Sequence, residues 1–228
     1  MNILAVDTST SFGGVAVYDS ERCALAEHRV GRSTRQFSES LMEMIDLCLR
    51  NLSIGIGDID CLAVTSGPGS FTGLRVGLST VKGLSYSTGK PVITLSTLRV
   101  HAWMIPFHEG YVCPVLDARK KEVYSAMYQW EKDDYETVLK EGVYTIEEVL
   151  KYIKKETIFI GDGLNVYKDR IIDAIGNRAL FAPQNMNGSL PSTLAYLALR
   201  KAENKEYTNI ETFSPEYFRK SEAELKNG

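Results

Sequence analysis

Two apolar runs in this chain end in an aspartate, and the same succession of elements follows each. Ile3 to Val6 runs into Asp7 and a Thr8-Ser9-Thr10-Ser11 turn, and Tyr111 to Leu116 runs into Asp117. After the first come predicted strands at Gly14–Tyr18 and Cys23–Val30, a helix over Arg32–Leu52 and a strand at Ile59–Val64. After the second come strands at Val123–Tyr128 and Thr137–Tyr144, a helix over Thr145–Lys154, a strand at Ile158–Ile160 and a Gly161-Asp162-Gly163 turn. Identity between the halves is slight, so the repeat rests on element order. It points to two related α/β lobes, residues 1–104 and 105–228, joined near Trp103–Glu109, each with a mixed sheet flanked by helices. In the first, a Leu74–Ser87 helix links the Ile59–Val64 strand to one at Val92–Leu95. That is a βαβ crossover, which is right-handed almost without exception.

The turn into that crossover helix is Ser66-Gly67-Pro68-Gly69-Ser70-Phe71-Thr72-Gly73. Its glycines allow a sharp turn and leave N–H groups uncovered, and a helix start beside such a loop favours anions. It nevertheless fits none of the standard phosphate loops. Leu74 follows Gly73 where a Walker lysine would stand, and Thr72 takes the place of the third glycine of a dinucleotide fingerprint. No Gly-x-Ser-x-Gly frame fits either. The alternative is a tight turn that packs helix against sheet.

The remaining composition narrows the chemistry. Net charge is −3, whereas a protein that grips nucleic acid alone shows a basic face. Arg119-Lys120-Lys121, Lys154-Lys155 and Arg219-Lys220 read as solvated turns or helix ends. No apolar run approaches the roughly 20 residues of a membrane span. The amino terminus lacks a basic segment before its apolar run and reads as a first strand, so a cytoplasmic protein is expected. Cys23, Cys48, Cys61 and Cys113 have no metal-ligand or Cys-x-x-Cys spacing, and at least three lie in apolar surroundings, as buried thiols do. His28, His101 and His108 form no His-x-x-x-His or His-Glu-x-x-His motif, so no metal site is expected.

Two like lobes, each with an aspartate at the tip of its first strand, suggest the actin-like ATPase and sugar-kinase (ASKHA) architecture. There, paired turns surround a nucleotide and its magnesium. Asp7, Thr8, Ser9 and Asp117 are the residues of such a cleft here, vestigial or not. The competing account is that each aspartate closes its own turn through backbone hydrogen bonds.

Both helices of the first half look two-faced. On a helical wheel Phe37, Leu41, Met44, Ile45, Cys48, Leu49 and Leu52 share one side, and Met42 and Leu47 widen it. The apolar arc, roughly 220°, exceeds the ~100° stripe of an ordinary surface helix. In the second helix Leu74, Leu78, Val81 and Leu84 make a core side, and Val76, Thr80, Gly83 and Ser87 lie almost opposite. Small residues let another helix come close. Gly83 costs about 1 kcal/mol of helix propensity against Ala, which implies a packing return. The expected partner interface is Phe37, Leu41, Met42, Ile45, Val76, Thr80, Gly83 and Ser87; the alternative is that helices of the same lobe fill both faces.

These motifs resemble the signature of the TsaB (YeaZ) family. Gly67-Pro68-Gly69-Ser70-Phe71-Thr72-Gly73-Leu74-Arg75-Val76-Gly77 with Lys82-Gly83-Leu84 carries most of the likeness. Asp7-Thr8-Ser9, Arg35-Gln36-Phe37-Ser38-Glu39, Leu116-Asp117-Ala118-Arg119, Glu122-Val123-Tyr124, Gly161-Asp162-Gly163 and Pro215-Glu216-Tyr217-Phe218-Arg219 agree in order and spacing. The resemblance implies an actin-like two-lobed fold. It implies a non-catalytic scaffold in the machinery that places threonylcarbamoyl on the adenosine beside the tRNA anticodon. Its implied partners are the catalytic paralogue TsaD, the ATPase TsaE, a second copy of itself when alone, and tRNA only indirectly. ATP and metal would belong to the partner subunits, with no intrinsic cofactor. The paralogue holds a metal through two helix histidines and an aspartate. The corresponding segment here, Ser33–Leu52, has no histidine, and Phe37 stands where many family members have one. The signature loop, Gly67, Gly69, Ser70, Thr72 and Gly73, is then a family marker with no catalytic residue in it. Two other readings compete: an actin-like ATP-dependent small-molecule kinase using Asp7 and Asp117, and a glycoprotease-like hydrolase.

Overall fold

The computed structural model describes residues 1–31, 37–188, 191–216 and 218, with backbone alone at 37. The Arg32–Gln36 start of the expected first helix and the Arg219-Lys220 pair lie outside them. The chain divides into two units, one made of Met1–Val100 with Ser189–Glu216, the other of His101–Gly188 with Tyr217–Gly228.

The first unit is built on a five-stranded mixed sheet. β1 (Asn2–Asp7), β2 (Phe12–Asp19) and β3 (Ala24–Gly31) form an antiparallel meander. β4 (Cys61–Gly67) pairs parallel with β1, and β5 (Val92–Ser96) parallel with β4, giving the order β3-β2-β1-β4-β5. α1 (Phe37–Asn51) and α2 (Phe71–Thr88) cover one face. Strand alternation sends Leu4, Val6, Val15, Val17, Leu62 and Val64 to that side, where they pack with Leu41, Ile45, Cys48, Leu74, Leu78 and Val81. The opposite face presents Ile3, Ala5, Ala16, Ala63 and Ile93, all fully buried. α6 (Pro191–Glu203) lies on this sheet, against β1, β2, β4 and β5. Small strand residues and the helix's own Ala195, Ala198 and Ala202 suit a close approach. Gly14 makes room for its first turn, since a Cβ there would stand 2.9 Å from Pro191 Cγ. Glu27 of β3 accepts hydrogen bonds from Ser192 N and Oγ at 3.3 and 3.2 Å, serving otherwise unsatisfied donors at the helix start.

The second unit repeats the plan. β6 (Tyr111–Arg119), β7 (Glu122–Glu131) and β8 (Asp134–Tyr144) form the meander. β9 (Thr157–Ile160) and β10 (Ala179–Phe181) add in parallel, giving β8-β7-β6-β9-β10. α4 (Ile146–Leu150) and α5 (Leu164–Ile175) supply Ile146, Val149, Leu164, Tyr167 and Ile171 to a core with Val115, Val123, Met127 and Phe159. The twice-written element order is therefore real, and two like mixed sheets flanked by helices are the actin-like plan.

The extents differ from expectation in three ways. The second lobe does not take everything after residue 104: the division falls at Val100/His101, and the chain returns to the first unit at α6, because the far face of the first sheet needs cover. α2 begins at Phe71, three residues early, because Ser70 caps it by accepting from Gly73 N. α4 is shorter than Thr145–Lys154; a Thr145–Glu148 capping box starts it, and it ends at Leu150. α3 (Thr97–Trp103), α5, β10 and α6 were not anticipated.

Candidate functional site

The signature loop is the end of β4 running into α2. Gly67 has φ +126°, which only glycine adopts freely, and the Gly67–Pro68 bond is cis. Ser66 O accepts from Glu216 N at 2.8 Å, and a Cβ on Gly67 would stand 2.7 Å from Glu216 O, so the carboxy-terminal segment seats on the loop. The other glycines meet the β1–β2 turn. A Cβ on Gly69 would fall 2.1 Å from Ser9 O, on Gly73 2.0 Å from Thr8 O, and on Gly77 2.5 Å from Thr8 Oγ1. Ser70 N donates to Ser9 O at 2.6 Å, and Thr8 Oγ1 donates to Gly73 O at 2.6 Å. Three amides at the helix start are thus occupied: Ser70 N by Ser9 O, Gly73 N by Ser70 Oγ and Leu74 N by Ser70 O. The geometry is that of the second account of this loop, a turn that packs helix against sheet.

Asp7, Thr8 and Ser9 belong to the same construction and are almost fully buried. Asp7 Oδ1 accepts from Ser9 N at 2.8 Å, Ser9 Oγ at 2.6 Å and Thr65 Oγ1 at 2.9 Å. Asp117 lies in the other unit, beside a register shift in β6. Its Oδ1 accepts from Arg119 N at 2.8 Å, its Oδ2 lies 3.2 Å from the Arg119 guanidinium, and its own N–H donates to Asp162 Oδ1 at 3.2 Å. Each aspartate thus serves its own turn. Among the described residues no group of three His, Cys, Asp or Glu side chains is placed to hold a metal ion. Burial pushes the Cys48 thiol up to about 11 and those of Cys61 and Cys113 up to about 12, while Cys23 is exposed. The three buried thiols are protonated and unreactive near neutrality.

The two helices sort the expected interface residues into used and unused. Leu41 and Ile45 are 1% and 3% exposed and belong to the core of their own unit, so they are not available to a partner. The wheel could not separate them from a docking face, because the arc was continuous. Met42 is 55% exposed, and Leu47 on the other flank is also exposed. The Phe37 side chain lies outside the described residues. On α2 the buried face is Gly73, Leu74, Gly77, Leu78, Val81 and Ser85; Leu84, expected there, is half-buried. Val76 and Thr80 are half-buried, and Gly83 and Ser87 are exposed. A Cβ on Gly83 would meet nothing within 4 Å. No contact among the described residues therefore requires this glycine, unlike Gly73 and Gly77 on the same helix. Tyr86, three residues on, is 65% exposed and was missed; an aromatic among small residues was its only signal. Among the described residues no helix is long and apolar enough to cross a membrane.

Comparison with known proteins places these features. Residues 31–227 match the family described as TsaD: tRNA N6-adenosine threonylcarbamoyltransferase. The chain is 28% identical to the tRNA threonylcarbamoyladenosine biosynthesis protein TsaB of Bacillus subtilis, over 99% of this chain and 97% of that one. It is 30% identical to the protein of the same name from Haemophilus influenzae, over 89% and 86%. The structure of YeaZ from Pseudomonas aeruginosa superimposes with a TM-score of 0.78 at 25% identity, covering 95% of this chain and 99% of that one.

Proposed function

Because the chain belongs to the TsaB family, within the wider group that the TsaD family describes, we propose that it is a non-catalytic subunit of the complex that makes threonylcarbamoyladenosine in tRNA. It docks the catalytic TsaD-type paralogue through α1 and α2, works with a TsaE-type ATPase, and pairs with a second copy of itself when the paralogue is absent. Transfer chemistry, ATP and metal belong to those partners, and tRNA meets the chain within the cytoplasmic complex.

Near full-length relation to biosynthesis proteins supports the pathway. The observation that carries the docking role is Gly83. A glycine inside an 18-residue helix, with open space where its Cβ would be, costs stability and returns nothing among the described residues. A partner helix lying across Val76, Thr80, Gly83 and Ser87 supplies the return, because small residues set a short interaxial distance. Met42 and Leu47 leave further apolar area exposed on α1. Asp7, committed to Ser9 and Thr65, has fewer acceptor sites left for a hydrated magnesium, which weighs against the kinase reading.

The test is reconstitution with purified TsaD-type and TsaE-type proteins, threonylcarbamoyl-adenylate and tRNA. The complete set modifies the adenosine; the chain alone does not. Thr80→Arg or Gly83→Trp prevents complex formation and lowers modification while the melting temperature is not lowered. Full modification without this chain, or unchanged affinity in both variants, refutes the reading. ATP turnover by the isolated chain, lost in Asp7→Ala, would restore the kinase.

A further inference from the structure

The β6–β7 hairpin puts positive charge on a backbone that suits its residues poorly. Arg119 pairs with Glu122 across the ladder, leaving Lys120 and Lys121 as a two-residue loop. Both lysines have positive φ, +52° and +64°, as the central residues of a type I′ turn do, and Arg119 itself sits at +64°. Such loops favour Asn-Gly or Gly-Gly, because a Cβ is crowded there. Three consecutive cations hold left-handed backbone where cheaper residues exist.

The three are not equivalent. Arg119 is tied to Asp117 through its backbone N–H and its guanidinium, so its charge is matched and the base of the loop is held. Lys120 and Lys121 are exposed, and neither makes an ion pair or hydrogen bond among the described residues. The tip is thus two free ammonium groups on a braced hairpin. The loop has no apolar side chain to act as the buried anchor of a protein interface. Point charges on flexible stems suit phosphates spaced along a backbone.

We propose that the Lys120-Lys121 tip contacts the phosphate backbone of RNA. This rests on the functional reading above, which brings tRNA to the complex. Two phosphates are neutralised and no base is read, so the contact is sequence-independent and weakens with salt.

The test uses the Lys120→Asn, Lys121→Gly double variant, which removes both charges and installs the residues the turn prefers, so the fold is not put at risk. Affinity for tRNA is measured with the assembled complex of the full chain and its TsaD-type partner across a salt series. The double variant binds several-fold more weakly at low salt, and its log affinity falls less steeply with log salt, by about 1.4–1.8 in slope. Its melting temperature is not lowered. Lys120→Arg with Lys121→Arg keeps the wild-type slope. Unchanged affinity and slope in the double variant overturn the proposal. Loss of the TsaD-type partner without RNA present also overturns it, assigning the tip to an acidic protein surface. If wild-type chain supports tRNA modification while the double variant binds tRNA normally, only this proposal falls. If wild-type chain supports none, the functional reading falls with it.

Discussion

Two glycines on one helix should respond to the same substitution with opposite sign. Gly77 and Gly83 are both interior to α2, so alanine at either gains about 1 kcal/mol of helix propensity. At Gly83 the new methyl meets nothing within 4 Å, and the gain is kept whole. At Gly77 it stands 2.5 Å from Thr8 Oγ1 and 3.6 Å from Val64 Cγ2. Thr8 is 1% exposed, and its hydroxyl donates to Gly73 O at 2.6 Å. Moving it aside strands the buried Thr8 hydroxyl, at about 1–3 kcal/mol, and overpacks the turn by about 1–3 kcal/mol more. After the propensity gain, Gly77→Ala should lose about 1–5 kcal/mol. Urea unfolding by far-ultraviolet circular dichroism measures this at low protein concentration, where self-association does not contribute. Both tryptophans, Trp103 and Trp130, lie in the second unit, so their fluorescence follows that unit while circular dichroism follows the whole chain. Gly83→Ala should at the same time weaken the TsaD-type complex, separating stability from docking. Stabilisation at both positions would refute the turn-to-helix contact as the reason for Gly77. Destabilisation at Gly83 would refute its being open.

Three further outcomes follow from side chains described above or from local pairs. Glu27→Ala removes the acceptor for Ser192 N and Oγ and should cost about 1–2 kcal/mol in a thermal melt, with Glu27→Gln recovering part of it. Burial raises the Cys113 thiol from 9.0 to about 12, so its contribution is intact below pH 9 and lost as pH rises from there toward 12, at about 1.4 kcal/mol per pH unit; Cys113→Ala should flatten the alkaline slope seen by tryptophan fluorescence. The hydrogen bond from Arg22 lowers the Asp19 pKa, so its stabilisation is present at neutral pH and lost as pH falls through that depressed value; Arg22→Ala should move acid unfolding to higher pH.

The repeated order of elements was legible because each lobe's strands alternate and end in recognisable turns, as Val6-Asp7 and Leu116-Asp117 do. α6 was not legible as part of the first lobe. Leu194, Ala195, Leu197, Ala198 and Ala202 form a helical pattern, but the sheet they cover is a tertiary fact that no local pattern states. The role of the signature glycines was also hidden. Gly69, Gly73 and Gly77 could serve a phosphate or a close backbone, and the choice lies in distances to Thr8 and Ser9, far away in sequence. The division of α1 and α2 into buried and exposed residues was half legible. Helical spacing isolated Gly83 and Ser87, whereas Leu41 and Ile45 share a continuous apolar arc with Met42, and only packing divides that arc.

The return of α6 has a consequence for synthesis. During synthesis the strands of the first sheet leave the ribosome before the second unit's sheet, yet the helix that shields Ile3, Ala5, Ala63 and Ile93 follows that sheet in the chain. A fragment stopping at the boundary between the units would expose that oily surface and aggregate, so the two units cannot be produced separately by cutting the gene between them.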